Sequence, residues 1–242
     1  MKILAIDSSA KSASCAVSDD ERLLGEFFLD SGFTHSQTLM PMIDSLLGSL
    51  SLALCDIDAF AVNIGPGSFT GIRIGAATVK GLAFSENKPC VGVPTLESIA
   101  MNIYDFDGIV CPVMDARCRQ VYNALFEMSH GRGRRLCADR AVGLRELEND
   151  LCERKKPVML VGDGALLCYN DFGRKCGFEI APDNIRLCHA SSAARAAFYM
   201  LLDGRSVSPD ELRPLYLRPS QAERERAARL KEAGAKEEQG RM

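Results

Sequence analysis

The sequence lacks an apolar run long enough to cross a membrane. No window of eighteen consecutive apolar residues occurs in its 242 residues, and a membrane-spanning helix needs about that length. The amino-terminal stretch MKILAIDSS has one lysine and a short apolar run that ends at an aspartate. A secretory signal peptide needs a longer apolar region and a small-residue cleavage site. We therefore expect a cytoplasmic protein with no membrane segment.

An excess of basic charge is also missing. The chain has 29 lysines and arginines against 32 acidic residues, giving a formal net charge of −3. Nucleic-acid-binding domains usually concentrate basic residues on one face, whereas these are scattered. The densest basic segment, GRGRR at 131–135, is predicted to be a solvated hairpin loop. Composition thus gives no sign of a surface that binds nucleic acid directly.

Signals for zinc and for disulfides are weak as well. The ten cysteines include no Cys-x-x-Cys pair, and the three histidines lie far apart in the sequence. Most of the cysteines fall within apolar runs, where a thiol behaves as a small hydrophobic group. We expect reduced, buried thiols and no metal site.

The sequence does contain a regular alternation of strands and helices. KILAID, SASCAVS and RLLGEFFL are predicted as three strands, followed by a helix over 38–50. Thr38 would cap this helix, because Pro41 would then lie in the first turn, where proline is tolerated. The strand DAFAVNIG, a helix over 68–84 and the strand PCVGVP complete the first unit.

The second half repeats this order. GIVCPVMD, QVYNALFEM and RLCADRAV are predicted strands, GLRELENDLCE a helix, PVMLVG a strand, DGALLCYNDF a short helix and SSAARAAFYMLLDG a long one. An aspartate ends the first strand of each half, and a glycine loop comes after a later strand, NIGPG in one half and LVGDG in the other. Such an echo predicts a duplicated unit. The expected units are 1–104 and 105–221, with a frayed or disordered charged tail at 222–242.

Two tandem βββαβα units of this kind describe the actin-like ATPase (ASKHA, RNase H-like) α/β architecture, here with a degenerate second unit. That family holds nucleotide between its halves, so the loop GPGSFTG could offer amide groups to a phosphate. However, neither a Walker loop nor a Gly-x-Gly-x-x-Gly fingerprint is present. We therefore predict a degenerate phosphate-loop-like site and no cofactor; its candidate residues are Asp7, Ser8, Gly65, Gly67, Ser68 and Asp115. Alternatively, the two aspartates only cap turns.

Glycines at every fourth position mark one face of the helix over 68–84. Glycine costs about 1 kcal/mol in a helix interior, so its repetition suggests close approach of another element. Between Thr70 and Phe84 only Arg73 and Lys80 are charged, so the helix should be covered on two sides. We predict a partner interface formed by His35, Met40, Ile43, Leu47, Gly71, Ile72, Gly75, Ala76 and Val79. The alternative is that the glycines serve internal packing only.

Seven segments, in order, resemble the TsaB (YeaZ) family. They are ILAIDSSAKSASCAV, HSQTLMPMIDSLL, GPGSFTGIRIGAATVKGLA, GVPTLESIA, DARCRQVYNALF, VGDGA and RPLYLRPS. The resemblance covers about residues 2–220, and GPGSFTGIRIG is its most specific part.

This resemblance implies a role in forming threonylcarbamoyladenosine in transfer RNA. TsaB is a shortened relative of TsaD, which transfers the threonylcarbamoyl group to adenosine 37. In TsaD a His-x-x-x-His motif binds the catalytic metal, and Thr95 and Ile99 occupy the matching positions here. The resemblance thus implies a non-catalytic scaffold that dimerises with TsaD, activates it and helps to recruit the ATPase TsaE. Contact with tRNA would be indirect, through the complex.

Three alternatives remain open from the sequence. The chain could be an autonomous actin-fold kinase that uses ATP, or a glycoprotease-like metallopeptidase. It could also form a homodimer through the helix face assigned to TsaD.

Overall fold

The computed structural model describes residues 1–129 and 132–218. A five-stranded sheet occupies the first half, in the order β3-β2-β1-β4-β5. The first three strands are antiparallel neighbours, whereas β4 and β5 run parallel to β1. Its strands are β1 (Lys2–Asp7), β2 (Ala13–Asp19), β3 (Arg22–Leu29), β4 (Ala59–Gly65) and β5 (Cys90–Pro94). The predicted strands of the first half are all confirmed.

Two helices, α1 (His35–Ser49) and α2 (Phe69–Glu86), cover one face of this sheet. The first begins three residues before the predicted start, so Pro41 lies inside the helix and Thr38 is not its cap. The proline is exposed, and a buried stripe from Leu39 to Leu47 stabilises the helix by packing, which offsets the lost backbone hydrogen bond. The second helix begins as predicted, with Ser68 as its cap.

The opposite face of the first sheet is covered by α8 (Ala190–Leu202), which comes from the far end of the chain. Five of its seven buried residues are alanines, and these small side chains let the helix lie close to the strands. The boundary at 104/105 stays a prediction, but the packing crosses it.

A second sheet has the order β10-β7-β6-β11-β12, with the hairpin β8-β9 attached to β6. Its strands are β6 (Gly108–Asp115), β7 (Gln120–Asn123), β8 (Phe126–Ser129), β9 (Arg132–Arg135), β10 (Arg140–Gly143), β11 (Val158–Val161) and β12 (Glu179–Ile180).

Three predictions for this region were wrong in detail. The predicted strand RLCADRAV is not continuous: Arg135 ends β9, residues 136–139 lie outside any strand, and Arg140 begins β10. QVYNALFEM forms two strands because β7 and β8 pair with different segments of β6, which forces a break after Asn123. Within GRGRR, residues Arg132–Arg135 form a strand paired with β8, so the segment is not a loop.

Short helices complete the second half. α4 (Leu144–Glu153), α5 (Ala165–Cys168) and α6 (Arg174–Cys176) contribute to the apolar cluster on one face of the second sheet. A π-helical turn, Tyr169–Gly173, joins α5 to α6, so the chain is helical throughout residues 165–176. α3 (Thr95–Ala100) packs against the other face of that sheet, and α7 (Asp183–Arg186) precedes α8.

Within 1–129 and 132–218, no helix has the length and apolarity needed to cross a membrane. The predicted charged tail at 222–242 lies outside the described residues.

Candidate functional site

A cleft of about 700 Å³ lies where β1, β4, β6 and β11 end. One wall is the loop between β4 and α2, with Gly67 and Ser68. The other wall carries Asp115 and Asp163, from the ends of β6 and β11. This is where an actin-like fold would hold nucleotide, and four of the six predicted phosphate-loop residues, Ser68, Gly65, Gly67 and Asp115, lie in or beside it.

Three amide groups of the glycine loop donate hydrogen bonds within the protein itself. The Gly65 amide donates to Thr95 Oγ1 at 3.1 Å, and the Ser68 amide donates to the Ser9 carbonyl at 2.6 Å. The Gly71 amide donates to Ser68 Oγ at 3.2 Å. A Cβ at position 67 would lie 2.3 Å from the Ser9 carbonyl oxygen, so the glycine is required for this approach. These three amides therefore donate to α3, to Ser9 just after β1 and to the cap of α2, and not to a ligand.

Asp7 and Ser8 are fully buried at the end of β1. Asp7 Oδ1 accepts from the Ser9 amide at 3.2 Å, from Ser9 Oγ at 2.6 Å and from Asn63 Nδ2 at 2.8 Å. Burial raises the pKa of Asp7 despite these bonds. Ser8 Oγ donates to the Gly71 carbonyl at 2.9 Å. Both side chains thus tie β1 to the glycine loop and α2, and neither is open to the cleft.

The carboxylates that do reach the cleft come from the second half. Asp115 Oδ1 accepts from the Arg117 amide at 2.7 Å, and Asp163 Oδ1 accepts from the Asp115 amide at 3.2 Å. Asp163 keeps contact with solvent in the cleft, but protein atoms lie close around it. Desolvation, with the charges of Asp115 and Asp7, raises its pKa to about 6. Sequence patterns alone do not single out Asp163, although its loop, LVGDG, is the counterpart of NIGPG.

The last described segment, residues 207–218, crosses the mouth of the glycine loop; we call it the strap. Val207 and Cys90 exchange backbone hydrogen bonds of 2.9 Å at the edge of the first sheet. Further along, the Leu215 amide donates to the Ile64 carbonyl at 2.8 Å. A Cβ at Gly65 would lie 2.2 Å from the Leu215 carbonyl oxygen, so this glycine makes room for the strap.

Aromatic contacts fix the end of the strap over the cleft. Tyr216 stacks on Phe69 with ring centroids 4.5 Å apart, and its hydroxyl accepts from Arg73 Nε at 2.9 Å. The Arg73 guanidinium lies 3.9 Å from the centre of the Phe69 ring. Arg218 reaches the Ala116 carbonyl on the opposite wall at 3.5 Å. The strap therefore bridges the two walls.

Most of the predicted partner-interface residues face the interior of the chain. A Cβ at Gly71 would lie 2.0 Å from the Ser8 carbonyl oxygen, and one at Gly75 would lie 2.4 Å from Ser8 Oγ. The glycine face of α2 therefore packs against Ser8, at the end of β1. The prediction that Gly71 and Gly75 face a partner chain was wrong. Five further residues of the set are buried in the same way: Ile43, Leu47, Ile72, Ala76 and Val79.

The other two predicted interface residues differ from these. His35 is half-buried, and its Nε2 lies 2.8 Å from the Ala10 carbonyl oxygen, which anchors the start of α1. Met40 is 47% exposed.

The same two helices present a different face to solvent, which we call the outer face. It consists of Met40, Pro41, Ser45 and Gly48 on α1 and of Thr70, Ile74, Ala77, Gly81 and Phe84 on α2. None of these side chains carries a charge, but the exposed Asp44 lies between Met40 and Gly48 on α1, and the exposed Arg73 lies beside Thr70 and Ala77 on α2. Phe84 is 70% exposed, and Gly48 and Gly81 have open space where a side chain would be.

Comparison with known proteins decides the family. The chain is 36% identical, over 162 residues, to the tRNA threonylcarbamoyladenosine biosynthesis protein TsaB of Bacillus subtilis, covering 67% of this chain and 71% of that one. It is 29% identical to TsaB of Escherichia coli over 225 residues, 90% of this chain and 95% of that one. The chain belongs to the TsaB family.

Two further comparisons agree with this assignment. The family model of TsaD, tRNA N6-adenosine threonylcarbamoyltransferase, matches residues 31–156. A solved Pseudomonas aeruginosa structure, of a protein described as similar to the peptidase YeaZ, aligns with a TM-score of 0.77 and 26% identity, over 90% of this chain and 99% of that one. The fold is thus the actin-like α/β fold of TsaB (YeaZ) proteins.

Two buried residues on α3 stand where the sequence resemblance to TsaD would place histidines. Thr95 and Ile99 occupy the positions that the resemblance to TsaD equates with metal-binding histidines, and they are 0% and 1% exposed. Thr95 accepts the hydrogen bond from the Gly65 amide, and Ile99 packs among apolar residues of the second sheet. Within the described residues, no three His, Cys, Asp or Glu side chains are grouped so as to hold a metal ion.

Proposed function

We propose that this chain is the non-catalytic scaffold subunit of the complex that forms threonylcarbamoyladenosine at adenosine 37 of tRNA. In this proposal it pairs with TsaD, activates it and helps to recruit the ATPase TsaE. It contacts tRNA only through the complex and needs no cofactor of its own. Family membership places the chain in this biosynthetic route, and the finer role rests on the outer face and on the cleft.

The outer face of α1 and α2 is the observation that carries the proposal. Phe84 and Met40 project into solvent from two adjacent helices, and the outer-face positions of α2 between Thr70 and Phe84 are uncharged, although the charged Asp44 is also exposed on α1. A large apolar surface left open on a monomer favours association. Small residues such as Ala77 and Gly81 let a partner helix approach closely, which increases the contact area around the larger side chains.

A partner with a related fold suits this face. The TsaD family model matches 31–156, a range that includes α1 and α2. If TsaD has the same helix pair, the two proteins can meet face to face about an approximate twofold axis, as in isologous dimers. A homodimer through this face would be a resting state that competes with TsaD.

The cleft supports a non-catalytic role. Its glycine loop uses the amides of Gly65, Ser68 and Gly71 for internal bonds. The strap lies across the loop and links both walls. A phosphate cradle would need these donors to converge on an empty space.

Reconstitution tests the role directly. Purified TsaD, TsaE, tRNA, ATP and the threonylcarbamoyl donor are combined with and without this chain, and modified tRNA is measured by mass spectrometry of nucleosides. We expect modification only when TsaD and this chain are both present, and none from this chain alone. Modification by this chain without TsaD would contradict the proposal. ATP turnover or chelator-sensitive peptide cleavage by the chain alone would instead favour the kinase or peptidase alternatives.

A further inference from the structure

Two cysteines that are 24 residues apart meet at the edge of the second sheet. Cys152, on the last turn of α4, has its Sγ 3.4 Å from Sγ of Cys176, at the end of α6. The sulfurs of a disulfide lie about 2.05 Å apart, so an approach of only about 1.4 Å would join them. No sequence motif marks the pair, because sequence spacing alone does not show which cysteines meet in the fold.

The two thiols differ in their exposure to solvent. Cys152 is exposed, whereas Cys176 is partly covered and lies 4.0 Å from Glu148 Oε1. Partial burial and the neighbouring Cys152 thiol raise the pKa of Cys176. The expectation of buried thiols was therefore wrong for Cys152, as it was for Cys55 and Cys118, which are also exposed.

We propose that Cys152 and Cys176 form a reversible disulfide that joins α4 to α6 when the protein meets a peroxide. The Cys152 thiolate is oxidised first, because it is open to solvent: its sulfur bonds to one peroxide oxygen, the O–O bond breaks, and water is released. The Cys176 sulfur then attacks the Cys152 sulfur, the S–S bond forms, the S–O bond breaks, and a second water leaves. Two thiols and one hydrogen peroxide thus give one disulfide and two waters, and a reducing thiol reverses the change.

The bond would act at the end of an irregular helix. Residues 165–176 are helical throughout, with a π-helical turn at Tyr169–Gly173, and Phe172 and Phe178 pack there in an edge-to-face contact at 6.2 Å. A link from Cys176 to α4 closes a loop across this region and restricts the unfolded chain. We expect oxidation to raise the melting temperature by about 5 °C.

Peptide mapping tests the proposal on the whole protein. Trypsin separates the two cysteines into peptides 146–154 and 176–186, neither of which contains another cysteine. After treatment with hydrogen peroxide, we expect these peptides to appear joined, with loss of two hydrogens, and to separate after dithiothreitol. The Cys152→Ser and Cys176→Ser variants should form no such species. The matched controls Cys55→Ser and Cys118→Ser remove exposed thiols elsewhere and should form it at the wild-type rate.

Three outcomes would overturn the proposal. The first is that both thiols stay free while Cys55 or Cys118 is oxidised. The second is that Cys152 proceeds to the sulfinic acid with Cys176 still reduced. The third is that Cys152 or Cys176 pairs only between molecules, seen as a covalent dimer on a non-reducing gel.

Discussion

The glycine loops NIGPG and LVGDG have similar backbone geometry, but the helices that follow them differ. Gly65 and Gly162 each come after a parallel strand of their sheet with a positive φ, 129° and 105°. Each also passes close to a backbone carbonyl, of Leu215 and Val113 respectively. After the first loop, however, α2 runs unbroken for 18 residues. After the second, the helix over 165–176 is shorter and contains a π-helical turn at Tyr169–Gly173.

This difference shows which half of the chain exposes a pair of long helices. A long, regular α2 lies beside α1 and exposes a continuous outer face. The shorter helix over 165–176, with its π-helical turn, has no comparable helix beside it to form such a face within the described residues. Glycine marks the turns in both halves, but only the first half combines it with an extended helix pair.

The largest effect should come from two glycines on the same helix. Gly71→Ala places a Cβ 2.0 Å from the Ser8 carbonyl oxygen, so β1 and α2 must separate. We expect a loss of about 3 kcal/mol of unfolding free energy, or about 10 °C in melting temperature. Gly81→Ala, in open space, should instead stabilise the helix by up to about 1 kcal/mol.

Thermal melts followed by circular dichroism measure both variants. Equal melting temperatures for the two would break the distinction between an inner, packed glycine face and an outer, open one.

The next effect concerns how α8 is held on the first sheet. Glu26, on β3, accepts from the Ser191 amide at 2.9 Å and lies 3.2 Å from His189 Nδ1. The hydrogen bond with Glu26 raises the pKa of His189. Burial opposes ionisation of Glu26, but the bonds from His189 and Ser191 keep its pKa below its usual value. Glu26→Gln should cost about 2 kcal/mol near pH 6.

The pH dependence of this loss has a definite sign. The histidine contribution is complete below its ordinary pKa of 6.5 and disappears as pH rises through the raised value. The glutamate contribution is present above its ordinary pKa of 4.5 and disappears as pH falls through the lowered value. The melting temperatures of wild type and Glu26→Gln should therefore differ most between about pH 4.5 and pH 6.5, where both contributions are present, and differ less at pH 8. A difference that grows toward pH 8 would contradict the pairing.

The smallest effect should come from the strap. Tyr216→Ala removes the stack on Phe69 and the bond from Arg73, but the side chain is 39% exposed. We expect a loss of about 1 kcal/mol in stability and faster hydrogen exchange at the Leu215 amide. Unchanged exchange there would show that the strap is held by its backbone bonds alone.

Sequence patterns were a good guide to the strands and a poor guide to which surfaces meet. Runs of apolar residues predicted the first sheet in full, because buried strands have a local signature. The spacing of Gly71 and Gly75 correctly indicated a close approach. It could not identify the approaching residue, since Ser8 lies more than sixty positions away and only the parallel pairing of β1 and β4 brings it near.

The same limit explains the other differences. The packing of α8 on the first sheet brings residues 190–202 against strands formed by residues 2–94. No local sequence pattern predicts a contact between segments so far apart in the chain. No local pattern marks Asp163 in its loop. Its pKa is raised because the folded chain surrounds the carboxyl with protein atoms and brings Asp115 and Asp7 near it.

Binding of purified TsaD to an outer-face variant tests the central claim most directly. Arginine at Ala76 is unsuitable, because that residue is 3% exposed and the change should unfold the chain. Ala77→Arg instead places a charge on the exposed stripe, and Leu166→Arg, at a side chain 50% exposed on α5 of the second half, is the matched control. By calorimetry, we predict affinity for TsaD reduced by at least about 100-fold for Ala77→Arg and unchanged for Leu166→Arg, with wild-type melting temperatures for both. Wild-type affinity of a folded Ala77→Arg variant would contradict the account.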